Sequence, residues 1–422
     1  MKYSKGMIMR KPYLIGGMLI VCALLLSGCG GGGSSSNTSS SSSSTGSSAV
    51  VNYVPVIVDS GPAAVIAAGY PAVNEPFVSV TICAPADPTN CQTIDHILVD
   101  TGSYGLRILS SALSPSLALT QRTDASGNAV TECTTFADGY SWGTIKTANL
   151  QIGSETANGL AVQIIGDPNY SSIPESCTGT GPASENTVAT FGSNGVIGVG
   201  PFAQDCGGAC AQSADNDVYY SCASPTSCQP ITMSLTQQVQ NPVSLFTTDN
   251  NGVILSLPAV SGGAISLSGT LTFGIGTESN NGLGNAQIYT INPDTGYITT
   301  TYNGASFPDS FLDSGSNGLY FDDSSITQCS DGSGFYCPAS TLSLSAVNTG
   351  QNGASGSINF TVGNVDTFFD ANQSDAVYSQ LAGTNGDPAS FDWGLPFFYG
   401  RNVYTAIQGS STPGGVGPYF AY

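Results

Sequence analysis

The chain has one histidine, two tryptophans and only eight lysines and arginines in 422 residues. A single histidine excludes a multi-histidine metal site. A Ser-His-Asp triad would have to use His96, which sits in the stretch leading to Asp100 and reads instead as a partner for nearby polar groups. Four of the eight basic residues, Lys2, Lys5, Arg10 and Lys11, lie at the extreme N-terminus, where no Asp or Glu precedes residue 50. The remainder therefore carries 28 acidic groups against four basic ones, a formal charge of −24. Such a surface repels phosphate backbones and excludes nucleic-acid binding through a basic patch. No glycine-rich phosphate loop followed by lysine is found either. Long runs of Glu, Lys and Leu are missing, while 53 glycines accompany many Ser, Thr and Asn. That balance favours strands joined by tight turns, an all-β protein with few short helices.

The N-terminus reads as an export signal. Basic residues within Met1 to Lys11 precede an apolar run, Tyr13 to Leu26, and then Leu26-Ser27-Gly28-Cys29. The run falls short of the roughly 20 residues that span a bilayer. The small residues before Cys29 resemble the lipobox of bacterial lipoproteins. This implies a signal over 1–28, lipid on Cys29, and a site in the cell envelope, at the outer membrane facing the periplasm or at the cell surface. Gly30 to Ser48 is nearly all Gly and Ser, so 29–50 forms a flexible tether.

With Cys22 in the signal and Cys29 lipidated, ten cysteines remain, an even number that reads as up to five disulfides in an exported protein. Cys83 and Cys91 are close enough to staple a hairpin, as are Cys329 and Cys337. Four more fall between Cys206 and Cys228 and are expected to pin a long loop over 205–230. Cys206-x3-Cys210 and Cys222-x5-Cys228 also have the look of a zinc site. In an oxidising compartment disulfides compete, and no metal is expected.

The most informative feature is an internal repeat. Ile97-Leu98-Val99-Asp100-Thr101-Gly102-Ser103-Tyr104-Gly105-Leu106 is echoed by Ser310-Phe311-Leu312-Asp313-Ser314-Gly315-Ser316-Asn317-Gly318-Leu319. Each half carries a companion further on, Gly195-Val196-Ile197-Gly198-Val199-Gly200-Pro201-Phe202 and Trp393-Gly394-Leu395-Pro396-Phe397. A lone Asp-x-Gly reads most simply as a turn, with Asp bonding its own backbone. Two in order, with matching companions, indicate duplication into lobes over 51–240 and 241–422.

These residues resemble the pepsin-like aspartic peptidases, in which each of two lobes contributes one Asp-Thr/Ser-Gly turn; the resemblance extends over most of 75–410. It implies a bilobal, pepsin-like double β-barrel with a cleft between lobes, opened in the second lobe by strands within Asn241 to Leu257 and Gly269 to Gly274. Gly394 to Tyr399 and Val403 to Ala406 look like its closing strands. The run Phe136-Ala137-Asp138-Gly139-Tyr140-Ser141-Trp142-Gly143 and the words around both aspartates are also similar to an uncharacterised family of exported bacterial lipoproteins of unknown function.

The resemblance assigns the catalytic role to Asp100 and Asp313, sharing one proton between them. Gly102 and Gly315 would give tight turns, Thr101 and Ser314 hydroxyls that bond across the lobes, and Ser103 and Ser316 hydroxyls for the adjacent carboxylates. Phe136, Tyr140 or Trp142 would cap the cleft from a covering hairpin. Arg107 stands where the family usually has an aromatic residue. Two functions follow: an aspartic endopeptidase acting on peptides or proteins without a cofactor, or a non-catalytic module of the same fold binding a protein or glycan in the envelope.

Overall fold

The computed structural model describes residues 51–179 and 183–422; the expected signal, Cys29 and the tether lie outside the described residues. The first half is built on a closed six-stranded barrel. Its strands run in the order Tyr140–Ile152, Glu155–Ile165, Tyr104–Leu109, Gly195–Val199, Asp87–Asp100 and Pro76–Ala84, the last pairing back onto the first at Thr81 with Gln151. Closure pairs each of these six strands on both sides. The second half holds a seven-stranded sheet from Ser355–Val362 to Ala382–Gly383.

Between the halves lies a sheet that takes strands from both. Tyr53–Val58 pairs antiparallel with Leu267–Phe273, followed by Gly252–Leu257, Arg401–Ala406, Tyr419–Ala421 and Ile288–Thr290. Strict alternation explains the first of these: Val54, Val56 and Val58 face the core while Tyr53, Pro55 and Ile57 face out.

Both Asp turns arise at the ends of strands; the first ends in a run buried on both faces, whereas the second alternates, with Ser310 and Leu312 buried and Phe311 half-buried. Asp87–Asp100 begins polar and exposed, then ends in Ile97-Leu98-Val99-Asp100, all buried. Ile97 and Val99 pack into the main core, whereas Leu98 packs with Phe77, Phe136 and Phe191 on the opposite face. A parallel neighbour sets Asp100 beside Gly198. The second half repeats this: Phe311 lies beside Asp392, Leu312 beside Trp393, and the Asp313 N–H donates to the Trp393 carbonyl at 3.1 Å.

Three expectations change. Gly394 to Tyr399 is a helical turn, Leu395–Phe398, rather than a strand, because Pro396 near its start favours helical φ. Residues 205–230 form a short helix, Gly207–Gln212, and a hairpin, Tyr219–Ser224 with Ser227–Pro230, that extends the first-lobe sheet through pairing with Ala129–Thr135. The cysteines there clip each piece locally, Cys206 to Cys210 and Cys222 to Cys228, instead of pinning the segment as one loop. The other three disulfides are Cys83–Cys91, Cys329–Cys337 and the longer-range Cys133–Cys177.

Candidate active site

The two Asp turns meet across the lobes in near-twofold fashion. The Thr101 N–H donates to Ser314 Oγ at 3.1 Å, and that hydroxyl donates to the Val99 carbonyl at 2.7 Å. Reciprocally, the Ser314 N–H donates to Thr101 Oγ1 at 2.9 Å, and Thr101 Oγ1 donates to the Leu312 carbonyl at 3.2 Å. Four bonds between buried groups leave neither turn free to shift alone.

Within each turn the carboxylate is aimed by its own backbone. The Gly102 N–H donates to Asp100 Oδ1 at 2.7 Å and the Gly315 N–H to Asp313 Oδ1 at 2.8 Å. The ordinary Asp turn is therefore present in both halves, and it orients the acid. Ser103 donates to Asp100 Oδ2, and Ser316 Oγ lies 3.0 Å from Asp313 Oδ2.

Gly102 and Gly315 are not among the residues with left-handed backbone, so positive φ is not what they supply. They supply room. A Cβ on Gly102 would stand 2.6 Å from Asp313 Cγ, and one on Gly315 would stand 2.8 Å from Asp100 Cγ. Each carboxyl thus packs against the other turn's glycine. Both are buried, and burial followed by the nearby Asp100 and Asp392 carboxyls pushes Asp313 well above the usual carboxylate range.

Beside the first turn is a hollow of about 240 Å³ lined by Thr101, Gly102, Tyr104, Tyr297, Phe311 and Phe420, among others; Asp100 and Asp313 lie behind this lining and not in it. Burial, together with Asp100, Tyr297 and Asp313, raises the Tyr104 phenol well above its ordinary value, so it stays neutral.

The family model described as "Protein of unknown function (DUF3443)" matches residues 48–422. The chain belongs to that family. This DUF3443 chain is also similar to a solved structure, the aspartic proteinase from Irpex lacteus, with a TM-score of 0.49 and 15% sequence identity over 87% of this chain and 96% of that one. No curated protein matches it. The pepsin-like character of the fold is read from its own two lobes and paired Asp turns.

The hairpin expected to cover the cleft is formed by Ala129–Thr135 and Tyr140–Ile152, but the aromatic residues expected to cap it do not. Phe136 packs edge-on against Phe191 at 5.6 Å. Tyr140 and Trp142, two residues apart and so on one face of the strand, join Tyr220 and the Cys133–Cys177 disulfide in a separate cluster. The Trp142 indole N–H there donates to the Tyr170 carbonyl at 2.7 Å. Apolar surface behind the hairpin claims all three, leaving Ala137 at its tip to line the hollow.

Arg107 is buried and ion-paired to Glu132 at 2.6 Å and Asp205 at 3.1 Å; it also donates to Thr134 and to the Tyr104 carbonyl. It ties the strand after the first Asp turn to the covering hairpin. His96 lies 3.4 Å from Asp59 and 3.3 Å from Asp95, which fits a polar partner and not a nucleophile's base. Cys329, Cys337 and Asp366 converge, but the two sulfurs are joined to each other, which removes them as metal ligands.

Residues that sequence reasoning left without a role are Tyr104, Tyr297 and Asp392. Tyr104 had a signal, since it directly follows Asp-Thr-Gly-Ser. Asp392 had a subtler one: a carboxylate two residues before Gly394, where the first half has Val196 before Gly198.

Proposed function

We propose that this DUF3443 chain is an aspartic-type endopeptidase that hydrolyses peptide bonds with water activated between Asp100 and Asp313. The observation that carries this reading is the mutual seating of the two carboxyls, each against the opposite glycine, with Thr101 and Ser314 locking the turns in register. Carboxyls this close resist double ionisation and share a proton. The ionised member takes a proton from water as its oxygen bonds to the peptide carbonyl carbon, and the protonated member gives its proton to the carbonyl oxygen. The resulting diol collapses as a carboxyl returns a proton to nitrogen and the C–N bond breaks. That scheme calls on no metal or cofactor. Tyr104, Tyr297, Phe311 and Phe420 around the hollow favour apolar side chains flanking the scissile bond.

The same reading holds the folded body at the bacterial envelope through lipid on Cys29. Among the described residues no helix is long and apolar enough to cross a membrane. Mass spectrometry of membrane-extracted protein should find diacylglycerol on Cys29; an unmodified N-terminus elsewhere would remove the anchor.

Ala137 at the tip of the covering hairpin favours the second reading, a non-catalytic module that holds a protein segment or glycan in the cleft. A peptide-library screen of the purified protein from about pH 3 to 7, where such carboxyl pairs titrate, separates the two. Cleavage blocked by a pepstatin-like inhibitor supports the peptidase. Binding without cleavage across that range supports the module.

A further inference from the structure

A second hollow opens in the second half, between the hairpin of Leu342–Thr349 and Ser355–Val362 and the segment that runs from the helical turn Leu395–Phe398 to Arg401. It measures about 520 Å³, within the range of small-molecule sites, and shares no lining residue with the hollow beside the first Asp turn. Among the described residues its lining holds no acid and one base, Arg401.

That base is the exception in this chain. Of the four basic residues after residue 50, Arg107 and Lys146 are paired with carboxylates. Arg122 is held by Thr147 Oγ1 and by the carbonyls of Gly159 and Gln237. Arg401 donates to the Phe397 carbonyl, with its guanidinium carbon 4.6 Å over the Phe397 ring, and has no carboxylate partner among the described residues. The carbonyl bond ties the strand back to the helical turn and occupies one donor of the fork. The rest of the fork is unengaged, although acids outnumber bases 28 to 8. Burial pulls the guanidinium below the ordinary arginine range, with the Tyr422 phenol acting the other way. An anion in the hollow would offset that burial.

The walls select the anion's shape. Phe360 meets Trp393 edge-on at 5.5 Å, and Trp393 meets Phe397 at 5.4 Å, so a run of rings leads to the guanidinium. Leu344 stands opposite Phe360 in the hairpin register, and both are left half-buried. A flat apolar body fits such walls with little ordering cost. One guanidinium fork matches one carboxylate, and with no second base in the lining a doubly charged phosphate would stay half compensated.

We propose that this hollow binds an aromatic carboxylate, its carboxylate on Arg401 and its ring against Phe360 and Leu344. The proposal holds whether or not the Asp turns cleave peptides.

Isothermal titration calorimetry of the full-length protein with 2-naphthoate tests it. Saturable one-site binding is expected, weakened tenfold or more in Arg401→Met, which keeps an apolar stem over Phe397 and removes the charge-assisted bonds. The uncharged 2-naphthylmethanol should bind wild type at least tenfold more weakly than 2-naphthoate. No saturable binding of 2-naphthoate, or equal affinity in wild type and Arg401→Met, would overturn the proposal. If Arg401→Met does not fold, the two naphthyl compounds on wild type carry the same test, and equal affinities would overturn it. Decanoate binding more tightly than 2-naphthoate would overturn the choice of an aromatic body.

Discussion

Thr101 and Ser314 hold each other by two reciprocal bonds, each backbone N–H donating to the other's side-chain hydroxyl at 3.1 and 2.9 Å. The lobes are joined at the point where their acids meet, so the positions of Asp100 and Asp313 are set by the same bonds that set the lobe interface. Replacing Thr101 with Val or Ser314 with Ala leaves a buried N–H without its acceptor. A loss of about 1–3 kcal/mol is expected from one such group, read as a lower urea midpoint with an unchanged m-value. A midpoint equal to wild type would show that the grip contributes nothing to holding the lobes.

Gly102→Ala adds a methyl 2.6 Å from Asp313 Cγ, closer than carbon atoms tolerate. The carboxyl has to move, because the three atoms nearest the new methyl, Cγ, Oδ1 and Oδ2, all belong to Asp313, which the Gly315 N–H holds in place. The variant should fold and lose binding of a pepstatin-like inhibitor by tenfold or more. Unchanged inhibitor binding would mean that the spacing of the two acids is not what the cleft recognises.

Arg107→Leu removes the cation from a cluster that includes Glu132, Asp205 and the Tyr219 hydroxyl. Burial and then the neighbouring Glu132 push the Asp205 carboxyl well above the usual carboxylate range even with Arg107 present, so the variant would leave one buried negative charge without its counter-charge, at a cost of about 3–5 kcal/mol. Thermal melting should show a marked drop. The additional substitution Glu132→Gln should restore part of it, since it removes one acid from the stranded pair and lets the other stay neutral. A double variant no more stable than the single would argue against the electrostatic account.

His96 beside Asp59 gives a pH dependence with a definite sign. The hydrogen bond to Asp59 raises the imidazole above its ordinary value, and despite the opposing effect of burial the bond to His96 holds Asp59 below its own. The raised histidine contributes fully below its unfolded value of about 6.5 and loses its contribution as pH rises through its folded value. The depressed aspartate contributes above its unfolded value near 3.9 and loses its contribution as pH falls. The pair therefore stabilises most between these limits, by on the order of 1 kcal/mol for a partly exposed pair. His96→Ala should lower stability at pH 5 and have a smaller effect at pH 9, measured by chemical denaturation at both. An equal loss at both values would assign the effect to packing against Phe77, whose ring lies 5.2 Å from the imidazole.

Much of this architecture was legible in the sequence because duplication writes the same words twice. Ile97-Leu98-Val99-Asp100 and its echo before Asp313 announced two strands ending in buried acids, and hydroxyls at Thr101 and Ser314 announced a bond across the lobes. What escaped was set by tertiary burial. Phe136, Tyr140 and Trp142 read as cleft caps because of their place in a hairpin. The disulfide at Cys133 and the rings of Phe191 and Tyr220 drew them to the other side. Arg107 read as a departure from the pattern until Glu132 and Asp205, 25 and 98 residues away, came to meet it. Asp392 was hidden for a related reason: its partner Ser316 is 76 residues distant, and only the parallel register brings them together.

The central claim is that Asp100 and Asp313 act as one acid/base unit, and the pH–rate profile of wild type beside Asp100→Asn and Asp313→Asn tests it most directly. Each Asn keeps the size and most hydrogen bonds of the acid but cannot exchange the proton. Wild type should cleave peptides with a bell-shaped profile having its optimum on the acid side, as a singly ionised pair requires, and both variants should fold and lose turnover. Cleavage by either Asn variant at the wild-type rate would contradict the account.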